Sequence, residues 1–120
     1  VFKKFPEADV SAFIIWIPIL EKDTLEAAIP SVKFLDDKRI RHFYDSNKAV
    51  GKVIAESVGW IDNIAWDIYA FYLPPAKWID EAPLPIYWMH QLKDEWATKD
   101  TYRTGNDLSV ELEASMKQLF

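Results

Sequence analysis

The chain has 120 residues, half of them hydrophobic, a net charge of −5 and no cysteine. A chain of this length makes one domain able to bury roughly 65% of its unfolded surface, and its apolar content excludes a disordered polypeptide. The missing cysteine excludes a disulfide framework, thiol chemistry and cysteine-ligated metal or iron–sulfur centres, while the negative charge opposes nucleic acid and anionic lipid as partners.

Taken in chain order, Val1 to Asp9 mixes charge and aromatic residues and reads as an arm lying on the body. Val10 to Pro18 is apolar nearly throughout, as expected of a strand buried on both faces. Asp23 followed by Glu26 has the character of a capping box, so a helix is predicted from near Thr24. Leu25, Ala28, Ile29, Val32 and Leu35 recur there at helical spacing, with Pro30 expected to kink the run. Asp36 to Lys38 is a turn, and Ile40 to Tyr44 a short strand. Asp45, Ser46 and Asn47 cap a second helix, whose face is Val50, Val53, Ile54 and Val58 and whose stop is Gly59. The basic cluster Lys38 to His42 reads as a solvated strand edge.

Ala65 to Leu73 has the composition of a strand and ends at Pro74 and Pro75, which cannot continue a ladder. Ile86 to Leu92 is a further strand. Lys93 to Gly105 is polar and loop-like, with a turn of helix at Glu95 to Ala97. Asn106 and Asp107 cap a last helix carrying Leu108, Leu112, Met116 and Leu119. The order is β-α-β-α-β-β-α. The first two strands should pair parallel by a right-handed crossover, and the last two, joined without a helix, antiparallel. An α/β fold is expected, with a four-stranded mixed sheet and helices on both faces, as a single domain over residues 1–120 with residues 1–9 as its arm.

This order, together with particular residues, resembles the thioredoxin-like superfamily. Phe13-Ile14-Ile15-Trp16-Ile17-Pro18 is similar to the strand that delivers the family's redox motif. Arg41-His42-Phe43-Tyr44-Asp45 followed by Lys48 to Val53 resembles the strand–aspartate–helix segment of the peroxiredoxin-like and TlpA-like branch. Asp67 to Tyr72 takes the place of the later core strand. The likeness spans about residues 10 to 120, and the combination of HFYD, AWDIYAFYLPP and YWMHQL looks like a group of uncharacterised bacterial members. Aligning Trp16 on the family's tryptophan puts Leu20 and Asp23 where the two cysteines of Cys-x-x-Cys stand. Pro30 lies two residues beyond the kinking proline, and Ala65-Trp66-Asp67 replaces the cis-proline segment. The resemblance therefore implies a redox-inactive scaffold, with thiol–disulfide exchange and thiol peroxidase activity excluded.

Among candidate residues, Asp67 stands in an apolar strand, where a carboxylate acts as general acid or base or accepts backbone and Trp N–H bonds. His90 would be its partner in an acid–base dyad, and its structural alternative is a hydrogen-bonded core histidine. No nucleophile stands beside them. His42 and His90 lack a third ligand at metal spacing, so no metal site and no cofactor are expected. Glu21, Lys22 and Asp23 complement a helix N-terminus, and the chain's three glycines form no phosphate-binding loop.

The connection from Pro74 to Pro85 is long for a hairpin and stiffened by proline, with Trp78 and Ile79 near its middle. Trp78 is read either as a contact anchor or as a cover for the sheet edge. Trp60, Trp66 and Trp88 lie in or beside apolar elements and read as core, with Trp66 also a binding candidate beside Asp67. The preferred function is a non-catalytic binding module for a protein, a peptide or a small apolar ligand, with contacts from Trp78, Ile79, Leu20, Glu21, Asp23 and Trp66. A cryptic enzyme using Asp67 and His90 is the alternative, and a symmetric homodimer a further partner class. The apolar run Ala12 to Leu20 is too short to span a bilayer, so a soluble chain is expected, with no nucleic acid or membrane partner. The cytoplasm is favoured over an exported protein with a cleaved leader.

Overall fold

A computed structural model describes all residues, Val1–Phe120. The arm contains a short 3-10 turn, Phe2–Lys4. Then follow β1 (Ala12–Trp16), α1 (Leu25–Phe34), β2 (Ile40–Tyr44), α2 (Ala49–Ser57), β3 (Ile68–Phe71), β4 (Tyr87–His90) and α3 (Gly105–Leu119). β1 and β2 pair in parallel, Ala12 opposite Ile40 and Trp16 opposite Tyr44. β3 and β4 pair antiparallel, Ile68 opposite His90 and Phe71 opposite Tyr87.

The two pairs do not join. The expected four-stranded mixed sheet is replaced by two separate two-stranded sheets, and the thioredoxin-like sheet with it. Joining them requires a backbone edge of the first pair to dock on an edge of the second, and that docking is absent. The chain reaches β3 through two residues in the left-handed region, Asp62 (φ 62°) and Asp67 (φ 47°). The extended run expected from Ala65 starts only after the second of these, at Ile68. Hydrogen bonding continues instead past β4. Thr101 accepts from the His90 amide at 3.0 Å, and His90 accepts from the Arg103 amide at 2.8 Å, a one-residue parallel bridge centred on Tyr102.

Local signals explain the helix ends. Thr24 caps α1, its hydroxyl accepting from the Ala27 amide at 3.1 Å. The capping box read at Asp23 and Glu26 is thus shifted by one residue, and Asp23 serves the turn before the helix. α1 runs on through Pro30, which lacks the N–H that would reach the Glu26 carbonyl. At α2 the Asp45 carboxylate accepts from the amides of Ala49, Val50 and Gly51 at 2.8–3.3 Å. Gly59 (φ 84°) ends that helix in the left-handed conformation that glycine adopts without cost.

The core lies around α2 and the second sheet. Ala55, Trp60, Ala65, Leu92 and Ala97 are buried together, with Ile54, Val58, Trp66, Ile68 and Trp88 packed around them. Met89 and His90 are fully buried. Gly51 marks the tightest approach, since a Cβ there would lie 2.6 Å from Ile17 Cδ1 and 2.8 Å from Ile64 Cγ2. The strand expected to reach Leu92 ends at His90, with Leu92 still buried in this core, and the stretch from Lys93, expected as polar loop, adds Ala97 to it and makes a simple turn, not a helix, at Glu95–Ala97.

Arg39 is not a solvated edge. Its guanidinium donates to both Asp37 carboxylate oxygens at 2.8–2.9 Å and to the arm carbonyls of Phe2 at 3.1 Å and Phe5 at 2.6 Å. It also lies 5.0 Å from the Phe2 ring centroid. A planar donor fork is suited to several acceptors at once, and here it fastens the arm to the start of β2.

Candidate functional site

His90 sits in an aromatic enclosure. The ring of Trp60 meets it edge-on at 4.9 Å, and those of Trp88 and Tyr102 lie at 5.9 and 6.0 Å. One nitrogen, Nδ1, accepts from the Leu92 amide at 3.0 Å. The other, Nε2, donates to the Thr98 carbonyl at 2.6 Å. An amide can only donate and a carbonyl can only accept, which assigns the proton to Nε2. Both nitrogens are therefore occupied by backbone, and the ring joins β4 to the following loop.

Asp67 is exposed, and its left-handed backbone sets it off from the strand that follows. Its carbonyl accepts from the Gln91 amide at 3.0 Å, one register step from the Ile68–His90 pair, so its side chain belongs to the opposite sheet face from His90. No hydrogen bond joins the two side chains, and the expected dyad is not assembled. Asp67 instead neighbours Tyr69, whose hydroxyl accepts from the Gln91 amide nitrogen at 3.4 Å. Burial, and then the negative charge of Asp67, pushes that hydroxyl's pKa up, with the Gln91 hydrogen bond partly opposing. Next to this group is an open cleft of about 420 Å³ lined by Trp66, Gln91, Leu92, Lys93 and Asp94.

His42 is equally occupied. Its Nδ1 accepts from Trp16 Nε1 at 3.1 Å, and its Nε2 faces the Leu35 carbonyl at 3.2 Å. No three metal-ligating side chains converge anywhere in the chain. At the β1–α1 junction, Asp23 Oδ2 accepts from the amides of Ile19 at 3.1 Å and Leu20 at 2.7 Å. That carboxylate closes the turn, while Leu20 and Glu21 project into solvent.

The β3–β4 connection is different in kind. Buried Pro85 and the turn from Leu73 to Ala76 hold its ends. Between and beside them, Trp78 is 46% exposed, Ile79 79% and Leu84 74%. These side chains are apolar, lie on one connection and are available for contact. Neither a protein family, nor a curated protein, nor a solved structure matches this chain. No helix is long and apolar enough to cross a membrane.

The sequence singled out Trp78, Ile79, Leu20 and Glu21, which are all exposed, whereas Asp23 is taken up by its own turn. Two features escaped it. One is the Arg39 clamp, whose signal was an aspartate two residues before an arginine. The other is the aromatic pair Phe13 and Phe43, which a strand buried on both faces would have hidden. Their rings lie 6.2 Å apart on an uncovered face.

Proposed function

We propose that this chain is a non-catalytic contact module that binds a protein or an extended peptide through the Pro74–Ile86 connection. The supporting observation is the exposure of Trp78, Ile79 and Leu84 on a loop anchored at both ends. An anchored loop loses little conformational freedom on binding, and a large aromatic supplies much contact area for few rotatable bonds. Leu20 and Glu21 form a second exposed candidate patch.

Acid–base catalysis by Asp67 and His90 finds no support in the geometry, because both imidazole nitrogens bond to backbone. The open cleft beside Trp66 is lined by Trp66 and Leu92 together with Gln91, Lys93 and Asp94.

The test is selection of peptides from a random display library against the intact chain, followed by calorimetry with the synthetic peptides. The double variant Trp78→Ala/Ile79→Ala should weaken binding at least about tenfold, as loss of a central aromatic anchor does. Its stability should change by no more than about 0.5 kcal/mol. Equal binding by the variant, or a large stability loss without a binding change, would show that Trp78 is a packing residue.

A further inference from the structure

The arm is fastened at two places, on different parts of the molecule. At the start of β2, Arg39 donates to the Phe2, Phe5, Pro6 and Ala8 carbonyls at 2.6–3.4 Å and lies over the Phe2 ring. On the other side, the Lys4 ammonium donates to the Glu113 carboxylate in α3. α3 is itself held to the second sheet, where the Tyr87 hydroxyl donates to the Glu111 carboxylate and Arg103 lies 3.8 Å from it. Since no strand hydrogen bond joins the two sheets, the arm is a link between them.

The two fastenings differ in strength. The Arg39 side chain is 13% exposed, and its planar fork engages several carbonyls at once, whereas the Lys4 side chain is 65% exposed. An ion pair in that much water contributes little and weakens further as salt screens it. Beside it, Phe5, Pro6 and Ala8 face Met116 and Phe120 across an open cleft of about 340 Å³. Glu113, Met116 and Phe120 recur at helical spacing, so one stripe of α3 meets the arm. Met116 lines the cleft and is still buried. The arm over it thus hangs from one firm end and one weak one.

We propose that the arm is a strap with Arg39 as its hinge, which opens by release of the Lys4–Glu113 pair and bares Met116 on α3. Opening takes nothing from either sheet, because the arm carries no strand and its 3-10 turn contains no buried residue. Only the Lys4 pair and the apolar contacts at the cleft are given up, which sets this motion at the low end of the local openings that a folded chain undergoes. The device goes beyond the contact-module reading and uses no residue of the Pro74–Ile86 connection.

The chain supplies its own reporters, because it has two methionines and no cysteine. Met89 is fully buried in the core and Met116 faces the arm, and hydrogen peroxide converts a methionine to its sulfoxide only where the sulfur is reached. The intact chain, treated with dilute peroxide and followed by peptide mass spectrometry, should oxidise Met116 faster than Met89 but more slowly than the urea-unfolded chain does. Raising the salt from about 0.01 M to about 1 M shortens the screening length from about 30 Å to about 3 Å. The Met116 rate should then rise about two- to fivefold. Lys4→Gln should give the same rise at low salt and remove the response to salt. Arg39→Lys, which keeps the charge and loses the fork, should raise the rate about tenfold or more. Met89 should react at an unchanged rate throughout. Lys4 stands mostly in water, so Lys4→Gln keeps the fold and the test stands even where Arg39→Lys does not fold. A Met116 that reacts in the wild type as fast as in the unfolded chain overturns the proposal, as does a rate indifferent to Lys4→Gln. Met89 accelerating in step with Met116 overturns it too, since the whole fold and not the arm would then be loosening. Peptide binding by the Trp78 loop is read separately and stands or falls on its own calorimetry.

Discussion

His90 and Asp67 illustrate how far residue type alone determines a role. Both are polar residues in apolar surroundings, and from sequence either could be catalytic or structural. What separates them is backbone position. His90 ends β4, pointing into the core, where each nitrogen meets a backbone group, the Leu92 amide having no other partner. Asp67 precedes β3 in a left-handed conformation that aspartate tolerates better than most residues, and it stays in water. His90→Ala would orphan the Leu92 amide, leave the Thr98 carbonyl with only the long bond from the Thr101 hydroxyl, and open a hole among three aromatic rings. The expected loss is roughly 3 kcal/mol in urea denaturation. Asp67→Asn, by contrast, should leave stability nearly unchanged. The buried, unpartnered Tyr72 hydroxyl is a fault of the opposite sort, a polar group held away from water without a bond.

At the scale of elements, periodicity and capping chemistry carried the most information. β2 spans Ile40–Tyr44, the segment read as a short strand, and α1 starts just after the predicted Thr24. Asp45 was recognisable as a cap because its carboxylate satisfies the first free amides of α2. The arm was legible as an arm, but its fastening was not, since Arg39 reaches residues more than thirty positions away. That clamp has a pH signature. The Arg39 hydrogen bonds hold the Asp37 carboxyl well below its ordinary 3.8. A depressed carboxyl pKa makes its contribution whole above 3.8 and lets it fade as the pH falls through the lower folded value. Nuclear magnetic resonance signals of Phe2 and Lys4 should therefore hold steady from neutrality down to about pH 3.8 and move only in stronger acid. In Arg39→Ala the same signals should be displaced at neutral pH, and a variant matching the wild type would remove the clamp.

The whole molecule departs furthest from expectation. The chain buries about 57% of its unfolded surface, nearer to a domain half its size than to the expected 65%. The exposed apolar side chains are spread over the molecule, from Phe13 and Phe34 to Trp78, Trp96 and Val110.

The residue pattern by itself determined the order of strands and helices, the parallel and antiparallel senses of the two pairs, and the absence of thiol chemistry. These depend on neighbours a few positions apart, through hydrogen-bond spacing, side-chain alternation and the inventory of reactive atoms. Only the tertiary structure decided that the two pairs stay apart, that both histidines are occupied by backbone, and that Phe13 and Phe43 face water. Each of those outcomes depends on which distant backbone edges and side chains meet, and backbone groups are chemically alike in every residue but proline, so periodicity carries no record of the choice.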